Sequence, residues 1–147
     1  MNRKLFLISI LFLSALTGCN KVENFTATAP NKNIILNLHN KERLKKHYDL
    51  FQIDETLNIA AQKYAEKMVQ TGVFEHGDVA ERLGPDWMMY GENIAYGQSS
   101  NEEVMLDWMN SRGHRMNILN KNFKYIGIGI AKNKNGMIYW VVDFGTK

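Results

Sequence analysis

Near the end of this 147-residue chain stands Tyr125-Ile126-Gly127-Ile128-Gly129-Ile130-Ala131, in which isoleucines alternate with glycines. Successive side chains of a strand point to opposite faces, so this segment puts branched apolar groups on one side and bare backbone on the other. Such a strand can bury its isoleucines while a helix or second backbone approaches its glycine side closely. Residues 137–144, with Tyr139, Trp140, Val141 and Val142, read as the returning partner after a connection that contains the turn signal Asn135-Gly136. Helical patterns precede the strands. Helices first and strands last in a short chain predict an α+β domain, an antiparallel sheet covered by helices.

Residues 32–46 carry Ile34, Ile35 and Leu38 on one side, with Asn31 or Asn33 as N-cap. His39 and Arg43 lie four apart on this helix and are expected to hydrogen-bond to neighbouring loops. Residues 54–71 form the clearest helix: Leu57, Ala61, Tyr64, Ala65 and Met68 make the apolar stripe, Asp54 caps the start and Gly72 closes the end. Residues 79–83 predict one or two helical turns. Ser100 followed three residues later by Glu103 is a capping box opening a helix to about residue 110, which gives Glu103 a structural task. Trp87-Met88-Met89-Tyr90 reads as a short loop and a candidate contact surface. Met88, Met89, Met105, Met109 and Met116 could line an adaptable pocket, although methionines at helical spacing more often fill a core.

The first residues stand apart from this fold. Arg3 and Lys4 precede an apolar run over residues 5–16, and Leu16-Thr17-Gly18-Cys19 ends it with small residues, the plan of a secretory signal. That ending resembles the lipobox of bacterial lipoproteins, in which the cysteine is lipidated and becomes the new N-terminus. Residues 1–18 are therefore expected to be a lipoprotein signal peptide, residues 19–31 a flexible tether from lipidated Cys19, and residues 32–147 the folded domain. Each buried CH₂ of an acyl chain contributes about 0.8 kcal/mol, so two or more chains would hold the protein stably on a membrane facing outside the cytoplasm. Loss of Arg3 and Lys4 takes the basic count from 18 to 16 against 15 acids, a net charge of +1. That balance argues against a nucleic-acid partner. With Cys19 the single cysteine, stability has to come from the core and not from disulfides.

The polar residues concentrate between positions 91 and 119. Gly91-Glu92-Asn93-Ile94-Ala95-Tyr96-Gly97 and Trp108-Met109-Asn110-Ser111-Arg112-Gly113-His114-Arg115-Met116-Asn117-Ile118-Leu119 read as two walls of one site. Together with Leu38-His39-Asn40, Arg43, His76, Gly127-Ile128-Gly129 and residues 140–145, they resemble the CAP superfamily of cysteine-rich secretory proteins, antigen 5 and pathogenesis-related 1 proteins, also called the SCP domain. The chain is similar to its compact bacterial branch, over residues 32–147. The resemblance implies an α-β-α sandwich with a central cleft holding two histidines and two acids, which in some members take up a divalent metal. By position His76 and His114 match the histidines and Glu92 matches one acid. The second acid falls on Ser111, so the tetrad is incomplete.

Two imidazoles and a carboxylate can give Zn²⁺ three ligands and an open position, but no local metal motif supports this. The same groups also serve as a hydrogen-bonded polar cluster. Ser111 and His114 are candidates for a nucleophile and its base, yet Gly113 is expected to end the helix and no acid is placed to orient the imidazole. A Glu92–Arg115 contact is expected to join the two walls, with Asn93, Arg115 and Asn117 bonding around it. The favoured function is a non-enzymatic, membrane-anchored binding module, monomeric, whose ligand is a lipid, a sterol or a host or envelope component. The alternatives are a metal-dependent hydrolase using His76, His114 and Glu92, and a structural envelope protein without ligand.

Overall fold

The structure, a computed structural model, describes residues 28–147. The expected signal peptide, Cys19 and most of the expected tether lie outside the described residues. Helix α1 (Lys32–Leu44) begins where the Asn31 side chain accepts the amides of Asn33 and Ile34, satisfying donors that no helical carbonyl can reach. Strand β1 (Gln52–Ile53) and helix α2 (Glu55–Thr71) follow; Asp54 caps α2 and Gly72 closes it at φ 71°, a conformation glycine adopts without a Cβ penalty. Then come α3 (Val79–Leu83), β2 (Met89–Tyr96), α4 (Asn101–Asn110), α5 (Arg112–Ile118), β3 (Tyr125–Lys132) and β4 (Ile138–Thr146). Glu103 does the capping work expected of it: its amide donates to the Ser100 hydroxyl, and its carboxylate accepts from the Ser99 amide and hydroxyl.

Residues 28–31, expected to belong to the tether, are clamped to the start of α4. The buried Asn101 side chain accepts the Asn31 amide at 2.8 Å and donates to the carbonyls of Thr28 and Ala29. Among the described residues, no helix is long and apolar enough to cross a membrane.

The sheet runs β1-β3-β4-β2, with β1 parallel to β3 and the other pairs antiparallel. It is thus mixed, because two residues of β1 join the edge of β3, a segment too short for any periodic signal. Residues 89–96 form a strand that takes in Met89 and Tyr90, which the sequence placed in a short loop with Trp87 and Met88. Their alternation is hidden because Glu92 and Asn93 are both buried, one on each face. Helix α4 stops at Ser111, whose backbone is extended at φ −86° and ψ 125°, and α5 restarts at once with Gly113 inside it. The break therefore falls two residues before the glycine.

Alternation along β3 and β4 divides the core in two. Ile126, Ile128, Trp140, Val142 and Phe144 pack with Ile35, Val104, Met105, Trp108 and Ile118 of α1, α4 and α5. On the other face Tyr139 and Val141 pack with Ala61, Tyr64, Ala65 and Met68 of α2. Helix α2 also completes the edge of β3 beyond the short β1: the Asn58 side chain accepts the Ile128 amide at 2.8 Å, and Gln62 accepts the Ile130 amide and donates to its carbonyl. An open sheet edge is closed this way by side chains. Trp87, read as a surface candidate, is buried against Gly145, where a Cβ would lie 2.2 Å from the indole; its neighbour Met88 is 74% exposed. The methionines divide likewise, with Met105 in the core and Met116 exposed.

Arg43 behaves as expected and gathers the carbonyls of Asp49, Ile118, Asn120 and Phe123. His39 does not reach a loop. It is fully buried beside Phe51, Trp108 and Phe144 and donates Nδ1–H to Ile35 of its own helix at 2.8 Å, while its Nε2 has no partner among the described residues. Burial lowers its pKa from 6.5 to about 4. The unfolded chain therefore takes up a proton below pH 6.5 that the folded chain refuses until about pH 4, and His39 removes stability as pH falls through that window. The expected loss is about 2 kcal/mol between pH 6.5 and 5. Urea denaturation of wild type and His39→Phe over this range tests it, since the difference between the two curves should carry that slope; parallel curves would rule it out.

Candidate functional site

Strand β2 positions the site because its period of two sends neighbouring polar residues to opposite layers. Glu92 stands opposite Asp143 of β4, and Asp143 opposite Gly127 of β3, so both carboxylates lie on the face covered by α2 and α3. The Arg82 guanidinium, from α3, is inserted over them. Its Nη2 donates to Glu92 Oε2 and, at 2.9 Å, to Asp143 Oδ1, and its Nη1 reaches the His76 carbonyl at 3.4 Å. The guanidinium carbon lies 4.0 Å from the centre of the Tyr64 ring, a favourable cation–π position. The Tyr64 hydroxyl donates to the Glu75 carbonyl at 2.9 Å, and Gly77 leaves it room, since a Cβ there would come within 2.4 Å of the hydroxyl oxygen.

One guanidinium serving two buried carboxylates leaves a surplus of negative charge. Desolvation raises the pKa of Glu92, against the opposing pull of Arg82 and His76. For Asp143, burial dominates over the attraction of Arg82 and lifts the pKa from 3.8 to about 7; its Oδ2 has no partner among the described residues. Asp143 therefore passes through its midpoint near neutral pH, where an ordinary aspartate is fully ionised.

His76 forms the outer wall. Its Nδ1 lies 2.8 Å from Glu92 Oε1, and its side chain is 58% exposed. The carboxylate at Nδ1 calls for a proton on that nitrogen and fixes the orientation of the ring. His114, on α5, is half-buried, and desolvation followed by the charge of His76 lowers its pKa. The second face of β2 ties α5 in place. Asn93 donates to the His114 carbonyl at 3.1 Å, and Asn117 donates to Asn93 Oδ1 and to the Glu92 carbonyl.

The structure thus brings His76, Glu92, Asn93 and His114 to one edge strand. It does not bring Arg115 to Glu92: Arg115 donates to the Met109 carbonyl at 2.6 Å, because α5 lies on the Asn93 side of β2 and the Glu92 carboxylate points to the other. The partner of Glu92 is Arg82. A further buried carboxylate, Asp143, stands beside Glu92, while Ser111 lies at the break between α4 and α5. Asp143 had a readable signal, a lone carboxylate inside the wholly apolar stretch of β4, where a charge persists only if paired. Arg82 had none, since Val-Ala-Glu-Arg-Leu looks like any amphipathic turn.

A metal held by His76, His114 and Glu92 does not fit this arrangement. Both Glu92 oxygens are engaged, one by an imidazole N–H and one by a permanent cation. Among the described residues no group of three or more His, Cys, Asp and Glu is placed to hold a metal ion.

Beside the imidazoles, along the outer edge of β2, lies an open hollow of about 270 Å³ lined by Phe74, Tyr96, Gln98, Asp107, Trp108, Ser111 and His114. Phe74 and Tyr96 are 41% and 48% exposed, with ring centres 4.6 Å apart, and Tyr96 stacks in turn on Tyr139. Trp108 forms the floor and donates its indole N–H to the Ile94 carbonyl at 3.4 Å. A second hollow of about 390 Å³ lies between α2 and α3, lined by Lys63, Lys67, Asp78, Glu81 and the outer sides of Tyr64 and Arg82. It carries no imidazole.

The sequence model of the family described as CAP, cysteine-rich secretory protein family, matches residues 36–144. The uncharacterised Bacillus subtilis protein YkwD is 38% identical over 123 residues, an alignment that takes in 75% of this chain and 48% of that protein, so the chain spans about half of its relative. An extracellular protein of Bacillus anthracis containing an SCP domain superposes with a TM-score of 0.69 at 25% identity, over 78% of this chain and 40% of that one. An outer surface protein of Borrelia burgdorferi superposes with a TM-score of 0.71 at 23% identity, over 82% of this chain and 98% of that one.

Proposed function

This chain belongs to the CAP family of cysteine-rich secretory proteins, and from that membership we propose that it is a non-enzymatic binding module, held by lipidated Cys19 on a membrane face outside the cytoplasm and acting as a monomer. The observation that carries this reading is the division of labour at β2. The carboxylates that could do chemistry are closed under Arg82, whereas the adjoining hollow stays open and offers exposed aromatic rings with a few polar groups. Binding sites are typically concave, apolar or aromatic, with a small number of orienting polar groups. The extracellular and outer-surface descriptions of the two superposed proteins support a place outside the cytoplasm. The ligand classes are a lipid, a sterol, or a host or envelope component. Mass spectrometry of the natively purified full chain, followed by titration with a fatty acid, a sterol, an envelope glycan and extracellular-matrix protein, tests the proposal. Saturable binding of one class is the expected result, and no saturable binding of any class would remove the reading.

A second reading, hydrolysis, has one observation in its favour. The buried Glu92 engages the Nδ1 of His76 and orients its ring, the relation of acid to imidazole that prepares a general base. Turnover of ester, amide or glycoside substrates that disappears in His76→Ala would establish it, and no turnover by the wild type would end it. Elemental analysis of protein purified without chelator is expected to find zinc well below one per chain, because Glu92 has no oxygen to spare for it.

A further inference from the structure

The hollow beside β2 has two chemically different sides. One is the pair of exposed rings, Phe74 and Tyr96, kept in place by the stack of Tyr96 on Tyr139. The other is a rim of hydrogen-bonding groups with capacity left over. Gln98 donates its amide to Asp107 Oδ2 at 2.9 Å, which fixes the carboxylate and leaves its second oxygen towards solvent. The Ser111 hydroxyl makes no cap bond to α5, and the His114 ring makes no hydrogen bond to a described residue.

An acyl chain or a sterol nucleus would sit poorly here. Its binding energy comes from apolar area removed from water, which an open hollow supplies on one side only, and it would press hydrocarbon on the carboxylate, hydroxyl and imidazole of the rim without replacing their water. A pyranose ring has the matching chemistry. Its axial C–H groups form an apolar face carrying slight positive charge, suited to the electron-rich face of an aromatic ring, and its hydroxyl or acetamido groups project sideways as donors and acceptors. A hydroxyl given to an ionised carboxylate forms one of the stronger hydrogen bonds. We propose that this hollow is a saccharide site, in which one sugar ring of an envelope glycan lies on Tyr96 and Phe74 and directs its hydrogen-bonding groups to Asp107, Ser111 and His114. The proposal rests on the binding-module reading and narrows its ligand.

The test titrates the detergent-solubilised full chain with a tetramer of N-acetylglucosamine, followed by tryptophan fluorescence because Trp108 floors the hollow, and in parallel measures retention on purified peptidoglycan. Saturable binding is expected to weaken tenfold or more in both Tyr96→Ala and Asp107→Asn, and to stay unchanged in Met88→Ala, an exposed residue outside the hollow. A tenfold loss is the usual signature of removing a central contact. Thermal melting of each variant separates this from unfolding, since Tyr96 and Asp107 are exposed and their replacement should leave the melting temperature nearly unchanged. Saccharide binding that survives both substitutions overturns the site. Failure of both glycans while a fatty acid or sterol binds overturns the saccharide inference but leaves the binding module standing. Failure of every class overturns both.

Discussion

Arg82→Met is expected to destabilise the protein by about 3–5 kcal/mol at pH 8, the range found when one partner of a buried charge cluster is removed. Methionine fills much of the volume and keeps a contact with Tyr64, so the loss reports charge more than packing. Two carboxylates on adjacent strands, Glu92 and Asp143, would then face each other without a cation. The loss should be smaller at pH 5, and the sign follows from Asp143. Its pKa is about 7 in the folded protein against 3.8 as the ordinary value. Between those values the folded chain binds a proton that the unfolded chain has released, so this residue's contribution to stability is fully present below about pH 4 and is lost as pH rises through about 7. Removing Arg82, which lowers the pKa of both acids, pushes that window higher still and lets protonation relieve the cluster in mild acid. Urea denaturation at pH 5 and pH 8 distinguishes the outcomes. Adding Asp143→Asn to Arg82→Met should recover part of the loss at pH 8. A variant as stable as wild type at pH 8 would mean that Arg82 is not the counter-charge for these carboxylates.

The second large effect is expected at Gly127. A Cβ on this residue would lie 2.1 Å from the Leu57 carbonyl carbon and 2.4 Å from the Asn58 nitrogen. Both are backbone atoms of α2, which cannot swing aside as a side-chain tip could. Gly127→Ala must therefore lift the helix from the sheet, separating Leu57 and Ala61 from their contacts and stretching the bonds from Asn58 and Gln62 to the edge of β3. Overpacking of a core typically costs 1–3 kcal/mol, and a clash with rigid backbone belongs at the top of that range, about 3 kcal/mol or more. Because α2 also carries Tyr64, the substitution should disturb Arg82 and reduce ligand binding in the hollow less than it reduces stability. Denaturant midpoints give the first quantity and the glycan titration the second. Gly113→Ala is the matched control, since nothing lies within 4 Å of a Cβ there and alanine favours a helix.

Much of this architecture was legible in local patterns. The caps at Asn31, Asp54 and Ser100, the terminal glycine of α2, and the Ile–Gly alternation of β3 are each decided by residues a few positions apart. The short-loop reading of Trp87 to Tyr90, whose last two residues open β2, shows where such reasoning stops. A strand with one buried polar residue on each face has no amphipathic period, and its pairing with β4 is a contact between residues about fifty positions apart. His76, Glu92 and His114 could be picked out by their positions in motifs that resemble those of the CAP superfamily. Their partners could not. Arg115 is the expected partner of Glu92 because it stands in the second polar wall and matches it in charge, while the true partner Arg82, although only 10 residues away, sits in a helix without any distinguishing pattern.

Caps, periodicity and the absence of a Cβ act over a single turn or strand, so helices α1 to α4, the glycine face that admits α2 and the identity of the polar residues follow from the order of residues alone. Which charge meets which is settled by packing. That choice depends on the face of β2 from which each side chain leaves and on the helix that covers that face. The carboxylates were consequently closed beneath Arg82, and the edge with the aromatic rings was left open to a ligand.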